Sequence, residues 1–233
     1  MRRVGILGGM GPEATVLLMQ RLIAAVPARD DSDHIPLIVD QNPQVPSRIK
    51  RLLEGVGEDP APVLAQMAGR LEAAGAEALA MPCNTAHHYA PAIRAAVKIP
   101  LLDMVALAAE RAKALAAPGA AIGVLGSPAL RRTGLFDAPL AAQGLRPLYA
   151  ADEAATLAAI RQIKSGGPGH QARATLQAAS EALLARGARV QMIACTEFSL
   201  IPEAVAEAAE VFDTLDLLVA AIRQFACGDG AAP

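Results

Sequence analysis

The sequence predicts an α/β protein made of two pseudo-symmetric domains, each with a mainly parallel sheet flanked by helices. Three observations predict it. Short apolar runs alternate with longer segments of helical periodicity. The runs are apolar throughout, as expected of parallel strands covered on both faces. The pattern then restarts, since Ala121-Ile122-Gly123-Val124-Leu125-Gly126-Ser127 echoes Val4-Gly5-Ile6-Leu7-Gly8-Gly9.

In chain order, Val4 to Leu7 reads as a strand ending in the glycine-rich stretch Gly8 to Pro12, and Glu13 to Val26 as the first helix. Ile35 to Val39 is a second strand, followed by a proline-rich loop over Asn42 to Ser47. Pro62 to Ala74 is helical and stopped by Gly75. Ala78 to Met81 makes a strand, Thr85 to Lys98 a helix with Pro91 early in it, and Leu101 to Met104 another strand. The next helix ends near Pro118-Gly119. In the second half, Glu153 to Lys164 and Ala172 to Arg186 are helical, and Val190 to Ala194 is a strand. Val211 to Asp213 is a short strand, and Leu215 to Ala226 an amphipathic helix expected to pack back on the N-terminal half. Gly228 to Pro233 is expected to fray. These elements place one domain at residues 1–103 plus 212–233 and the other at 104–211.

The repetition has a measurable spacing. Gly8 and Gly126 lie 118 residues apart, and Cys83 and Cys195 lie 112 apart, as expected of duplicated halves that differ by a few inserted residues. The turns Gly75-Ala76-Glu77 and Gly187-Ala188-Arg189, one before each cysteine strand, fit the same duplication.

Composition excludes several functions. No uninterrupted apolar run approaches the roughly 18 to 20 residues of a membrane span. The apolar run after Met1-Arg2-Arg3 is too short and too glycine-rich for a secretory signal. With a net charge of −2, no basic cluster and no Trp, nucleic acid is not an expected partner. Three cysteines without a Cys-x-x-Cys pair form neither a disulfide framework nor a zinc ribbon, which fits a reducing cytoplasm.

The chemistry centres on Met81-Pro82-Cys83-Asn84-Thr85-Ala86 and Ile193-Ala194-Cys195-Thr196-Glu197. Each cysteine ends an apolar strand, and strand C-terminal tips are where open α/β sheets bind ligands. A thiolate is both nucleophile and base. The amides and side chains of Asn84, Thr85 and Thr196 are placed to hold a carboxylate. Two thiols on opposite faces of one carbon could take a proton from one side and return another to the other, inverting its configuration. One must start as thiolate and the other as thiol, and no metal or organic cofactor is required in principle. Because an amino-acid α-proton is a very weak acid, donors on the carboxylate must stabilise the enolate-like charge.

Other features have plainer readings. The Gly8 to Pro12 loop has neither a Gly-Lys-Ser/Thr ending nor GxGxxG spacing, so close backbone approach to a substrate is expected in place of phosphate binding. Met10 in that loop is a candidate lining residue, with core packing as its alternative. His87-His88 lacks a third placed ligand for a metal, and helix-start hydrogen bonding or exposure accounts for the pair. Glu197 is either a helix-start acid or a contact for a substrate amine. Cys227 lacks polar neighbours and reads as structural.

Taken together, the motifs resemble the cofactor-independent aspartate/glutamate racemase superfamily, and in particular its aspartate-racemase branch, over nearly the whole chain. The resemblance rests on Gly5 to Thr15, the Val45-Pro46-Ser47-Arg48 loop, Pro82 to His87, Gly123 to Ser127 and Ala194 to Glu197. It implies two α/β domains with the site between them, a homodimer, and Cys83 and Cys195 as the acid/base pair. It also associates Arg48 and Lys164, 116 residues apart, with a side-chain carboxylate and the thiols. Asn84, Thr85, Ser127 and Thr196 are then expected around the α-carboxylate. The glutamate-racemase branch fits less well, having an Asp-Ser pair where this chain has Gly9-Met10 and a His where it has Glu197. The expected reaction is racemisation of an amino acid, aspartate first. Broad-specificity or glutamate racemisation, a maleate-type isomerase and a malonate-type decarboxylase are alternatives on the same framework. A binding or redox-sensing protein would need the thiols only for ligation or disulfide formation.

Overall fold

A strand that must shed every backbone polar group into a ladder, with apolar side chains on both faces, lies inside a parallel sheet. The computed structural model, which describes residues 1–228, puts the apolar runs in such places. The segment expected to fray lies, from residue 229 on, outside the described residues. The chain divides into two units, Met1–Met104 with the described residues from Leu215 on, and Val105–Thr214.

The first unit runs β1 (Val4–Gly8), α1 (Pro12–Ala25), β2 (Leu37–Gln41), α2 (Arg48–Leu52), α3 (Ala61–Ala73), β3 (Ala78–Ala80), α4 (Ala90–Ala96) and β4 (Leu101–Leu102), ending in the first residue of α5 (Met104–Leu115). Its sheet has the order β2-β1-β3-β4 with every pair parallel. Interior β1 is buried at every position, whereas edge strand β2 is half-buried along most of its length.

Three local departures from the sequence reading have identifiable causes. The second strand begins at Leu37 because Pro36 has no N–H for the ladder; its carbonyl instead accepts from the Val4 amide at 3.2 Å. After Cys83 the chain forms a 3₁₀ turn over Thr85–Tyr89 before α4, not one continuous helix. In an α-helix there, Pro91 would offer no proton to the His87 carbonyl and its ring would strike it, so the helix restarts with Pro91 in its first turn. The loop expected up to Arg48 gives way to α2, because the Ser47 hydroxyl caps it by accepting from the Lys50 amide at 3.3 Å.

The second unit runs β5 (Ala121–Leu125), α6 (Pro128–Thr133), α7 (Asp137–Ala142), β6 (Arg146–Tyr149), α8 (Glu153–Gly166), α9 (His170–Ala185), β7 (Val190–Ile193) and β8 (Glu210–Asp213). Its parallel sheet has the order β6-β5-β7-β8, the same topology as the first. The short helices α6 and α7 and strand β6 were not read from the sequence. Arg146 and Pro147 hide β6, and an edge strand is the place where a sheet tolerates proline.

Register makes the duplication concrete. Gly5 pairs with Ile38 and Leu79, and Gly123 pairs with Leu148 and Gln191, so the central strands keep the 118- and 112-residue spacings of the sequence. Helices α3 and α9 also close alike. Gly75 and Gly187 adopt φ values of 94° and 89°, and the following Ala76 and Ala188 amides each reach back 3.0 Å, to the Leu71 and Leu183 carbonyls. That paired closure needs a left-handed residue after the helix, which glycine adopts without a Cβ penalty.

The last element, α10 (Thr214–Cys227), returns to the first unit. Leu215, Leu218 and Ile222 are fully buried against Val4, Ile6, Leu18 and Leu22, each contributing roughly 1.5–3 kcal/mol. Arg21 pairs with Asp216 at 2.8 Å, and the Arg2 guanidinium lies 3.9 Å from the Phe225 ring centre. Cys227 is half-buried at the end of this helix, packed against the same core. Among the described residues no helix is long and apolar enough to cross a membrane.

Candidate active site

In a sheet of order β2-β1-β3-β4 the connections leave β1 and β3 in opposite directions, which opens a crevice at the C-terminal ends of those strands. The residues delivered there are the Gly8–Gly11 loop and Cys83. In the second unit the same rule selects the ends of β5 and β7, which carry Ser127 and Cys195. Both cysteines are reduced, and both are 8% exposed.

In the first unit the glycine-rich loop is held from two sides. Thr15, fully buried in the first turns of α1, accepts from the Gly9 amide through Oγ1 at 2.9 Å. Gly9 itself has φ +90°, and the Met10–Gly11 peptide is cis. From the other side Arg48, the first residue of α2, donates through Nη1 to the carbonyls of Val45 (3.1 Å) and Pro46 (3.0 Å), and through Nη2 to Met10 (3.5 Å). Three of the five guanidinium protons are used in this way, which leaves Nε and one Nη2 proton for another partner. The Met10 side chain is 3% exposed in the core that includes Val45, Met67, Cys83 and Tyr89, the packing expected as its alternative role. The Met10 carbonyl is the part that meets Arg48.

Cys83 sits in a tight turn, its amide donating to the Met81 carbonyl at 2.8 Å. Asn84 is 2% exposed and Thr85 half-buried. His87 was not among the expected site residues, although its position four after Cys83 is the one from which a ring reaches back. The Met104 amide donates to Nε2 at 3.2 Å, so the ring proton is on Nδ1, which donates to the Cys83 carbonyl at 2.9 Å. His87 thus ties the cysteine turn to the start of α5. His88 is exposed and stacks edge-on against Tyr89, with ring centres 5.0 Å apart.

Burial pushes the His87 imidazole below its ordinary value, while the Cys83 carbonyl and Asp103 pull the other way and Arg94 adds to the lowering. The unfolded chain therefore takes up this proton first as pH falls. The ring's contribution to stability is complete above about pH 6.5, the unfolded value, and is lost toward the lower folded one by at most about 1.4 kcal/mol per pH unit. His87→Gln is expected to flatten that acid limb, as Tm values of the two proteins between pH 8 and 5 would register.

In the second unit a charged cluster surrounds the thiol. Cys195 Sγ donates to Glu197 Oε2 at 2.9 Å, and the other carboxylate oxygen of Glu197 lies 2.5 Å from Lys164 Nζ. Glu197 precedes a 3₁₀ turn over Phe198–Leu200 but makes no capping hydrogen bond with its side chain, so its carboxylate serves the thiol and the ammonium. Burial first, and the Glu197 charge second, push the Cys195 thiol well above its ordinary value, with Lys164 opposing. The Cys195 carbonyl is taken by the amides of Phe198 (2.9 Å) and Ser199 (3.2 Å), the work that His87 shares in the first unit. Ser127, 4% exposed, caps α6 by accepting from the Ala129 amide at 3.3 Å, which leaves its O–H proton to donate. Thr196 is 2% exposed beside the thiol.

The sequence-predicted residues divide between the units, Arg48, Cys83, Asn84 and Thr85 in the first and Ser127, Lys164, Cys195, Thr196 and Glu197 in the second, where Cys195, Glu197 and Lys164 are in direct contact. Arg48 opens α2, whereas Lys164 lies in the last turn of α8, a much longer helix at the corresponding place.

A model of the Asp/Glu/hydantoin racemase family matches residues 7–222. The aspartate racemase of Picrophilus torridus is 26% identical, with a TM-score of 0.84 over 97% of this chain and 95% of that one. An aspartate racemase homologue from Pyrococcus horikoshii OT3 shares the fold at 21% identity, with a TM-score of 0.72 over 97% and 100% of the two chains. The broad specificity amino-acid racemase RacX of Bacillus subtilis (strain 168) is 27% identical over 150 residues, a match that spans 63% of each protein and so less than two thirds of that relative's length.

Proposed function

The chain belongs to the Asp/Glu/hydantoin racemase family, and from that premise we propose that it racemises an amino acid, aspartate first, by proton transfer between two thiols. The observation that carries this reading is the equivalent placement of Cys83 and Cys195 in their own units. Each follows the equivalent strand of two topologically identical sheets, at the crevice where such sheets take ligands. One thiolate removes the α-proton, and the other thiol returns a proton to the opposite face. The two thiols supply both transfers, so the reaction as written asks for no further group. Asn84, Thr85, Ser127 and Thr196 donate to the α-carboxylate and stabilise the charge that develops there. The protein then works in the cytoplasm as a homodimer, which light scattering on the purified protein would test.

Aspartate is favoured by the Picrophilus relative and by Arg48, whose remaining Nε and Nη2 protons suit a side-chain carboxylate. Broad specificity is the second reading, favoured by the Bacillus relative. Chiral chromatography across the twenty amino acids separates them, and α-deuteration of L-aspartate in heavy water tests the reaction itself. No deuteration of any amino acid would sink the reading and favour the isomerase or decarboxylase alternatives. Arg48→Leu is expected to raise KM for aspartate about tenfold or more, the loss of a charge-assisted pair worth roughly 1.5–3 kcal/mol. Neutral amino acids accepted by the wild type should change much less, and an equal loss for all would assign Arg48 to the loop alone.

A further inference from the structure

The two cysteines are equally exposed and stand at equivalent places, yet the residues two positions beyond them differ in charge. Thr85 follows Cys83 at the position where Glu197 follows Cys195. The Glu197 carboxylate is anchored by Lys164 at 2.5 Å through one oxygen and accepts the Cys195 thiol at 2.9 Å through the other. A carboxylate can accept that hydrogen bond only while sulfur carries its proton. Removing the proton would leave a thiolate against a carboxylate, two like charges in contact in a buried site.

We propose that Glu197 is a positioning residue that keeps the proton on Cys195 in the resting protein, so that Cys83 is the thiol that takes the first α-proton. The inference rests on the racemase reading and fixes its starting state. One enantiomer passes its α-proton to the Cys83 thiolate, and the electron pair of the broken C–H bond moves onto the substrate carboxylate. Cys195 then gives its proton to the opposite face of the carbon, and the S–H electron pair stays on sulfur. The product state has Cys83 protonated and Cys195 as a thiolate beside Glu197, with Lys164 as the compensating cation. The charged groups that act on Cys195 are thus Glu197, from its own turn, and Lys164, from α8. The other enantiomer must wait for that less populated form. Because the equilibrium constant of a racemisation is unity, kcat/KM is equal in the two directions, and the asymmetry shows as unequal KM values compensated in kcat.

Thiol reactivity tests this without substrate. In a Cys227→Ser background, iodoacetamide alkylation followed by peptide mapping gives the separate rates of Cys83 and Cys195 between pH 6 and 9. Cys83 is expected to react about tenfold or more faster than Cys195 at pH 7.5, because the thiolate is the nucleophile and the Glu197 carboxylate holds the proton on Cys195. Glu197→Gln should speed Cys195 and narrow the ratio between the KM values of the two enantiomers. Lys164→Met should slow Cys195 further. The opposite signs separate an electrostatic role from loosened packing, and Lys164→Met carries the test if Glu197→Gln does not fold. Equal rates in the parent protein, or a Cys195 rate unmoved by both substitutions, overturns the inference. Racemisation is read separately from α-deuteration of aspartate. Deuteration without the alkylation pattern overturns this inference alone, and the pattern without deuteration of any amino acid overturns the racemase reading.

Discussion

Cys195→Ala is expected to suppress inversion strongly while sparing half of the chemistry. With Cys195 gone, no group returns a proton to the second face, and the racemisation rate should fall roughly 10²- to 10⁴-fold, the range a positioned acid or base supplies. Cys83 keeps its own face. In heavy water it can still remove the α-proton of one enantiomer and return a deuteron to the same side, giving exchange without inversion. Cys83→Ala should lose inversion equally but retain less exchange, because the thiol left behind is the one that Glu197 holds protonated. Chiral chromatography and α-proton NMR on the same samples read the two outcomes. Variants that both keep full racemisation of every amino acid the wild type accepts would exclude the two-thiol mechanism.

Gly9→Ala is expected to be the most damaging small change in the first unit. A Cβ there would lie 2.4–2.7 Å from backbone atoms of Asn42, which cannot rotate away as a side chain would. The residue also sits at φ +90°, so alanine meets a conformational cost of about 1–2 kcal/mol before any contact is counted. Overpacking adds roughly 1–3 kcal/mol. A total of about 3 kcal/mol corresponds to a Tm lower by roughly 6–12 °C in a chain of this size. Gly55→Ala is the control, since its φ is +70° but nothing lies within 4 Å of the added Cβ. Only the conformational cost should appear there. Activity should fall in Gly9→Ala alone, because displacing Asn42 disturbs the loop whose Met10 carbonyl holds Arg48. Equal Tm losses in the two variants would show that the close approach to Asn42 does not matter.

Much of this protein was legible in its residues. Strands such as Val4–Gly8 and Ala121–Leu125 announce themselves because a buried parallel strand must be apolar at every position, a pattern that survives without tertiary context. Repetition was legible for a similar reason: Gly75 and Gly187 stop equivalent helices with the same bonds, so the same residue recurs. Edge strand β6, with Arg146 and Pro147, was not legible, because an edge relaxes the rules that make a strand recognisable. Short helices α6 and α7 carry too few residues for a period to show.

The site divides along the same line. By itself the sequence determined which residues can do chemistry, two thiols at strand tips with amides, hydroxyls and cations near them in the chain, because side-chain type and strand position are local properties. It could not determine what those residues do to one another. Only the tertiary structure turned Met10 into the core, set His87 between the Cys83 carbonyl and the Met104 amide, and brought Lys164 from the end of α8 onto Glu197. Hydrogen bonds and ion pairs act over a few ångströms, and it is packing, not chain position, that brings groups from different elements within that reach. The proton on Cys195 is therefore a property of the fold, although the cysteine that carries it was plain in the sequence.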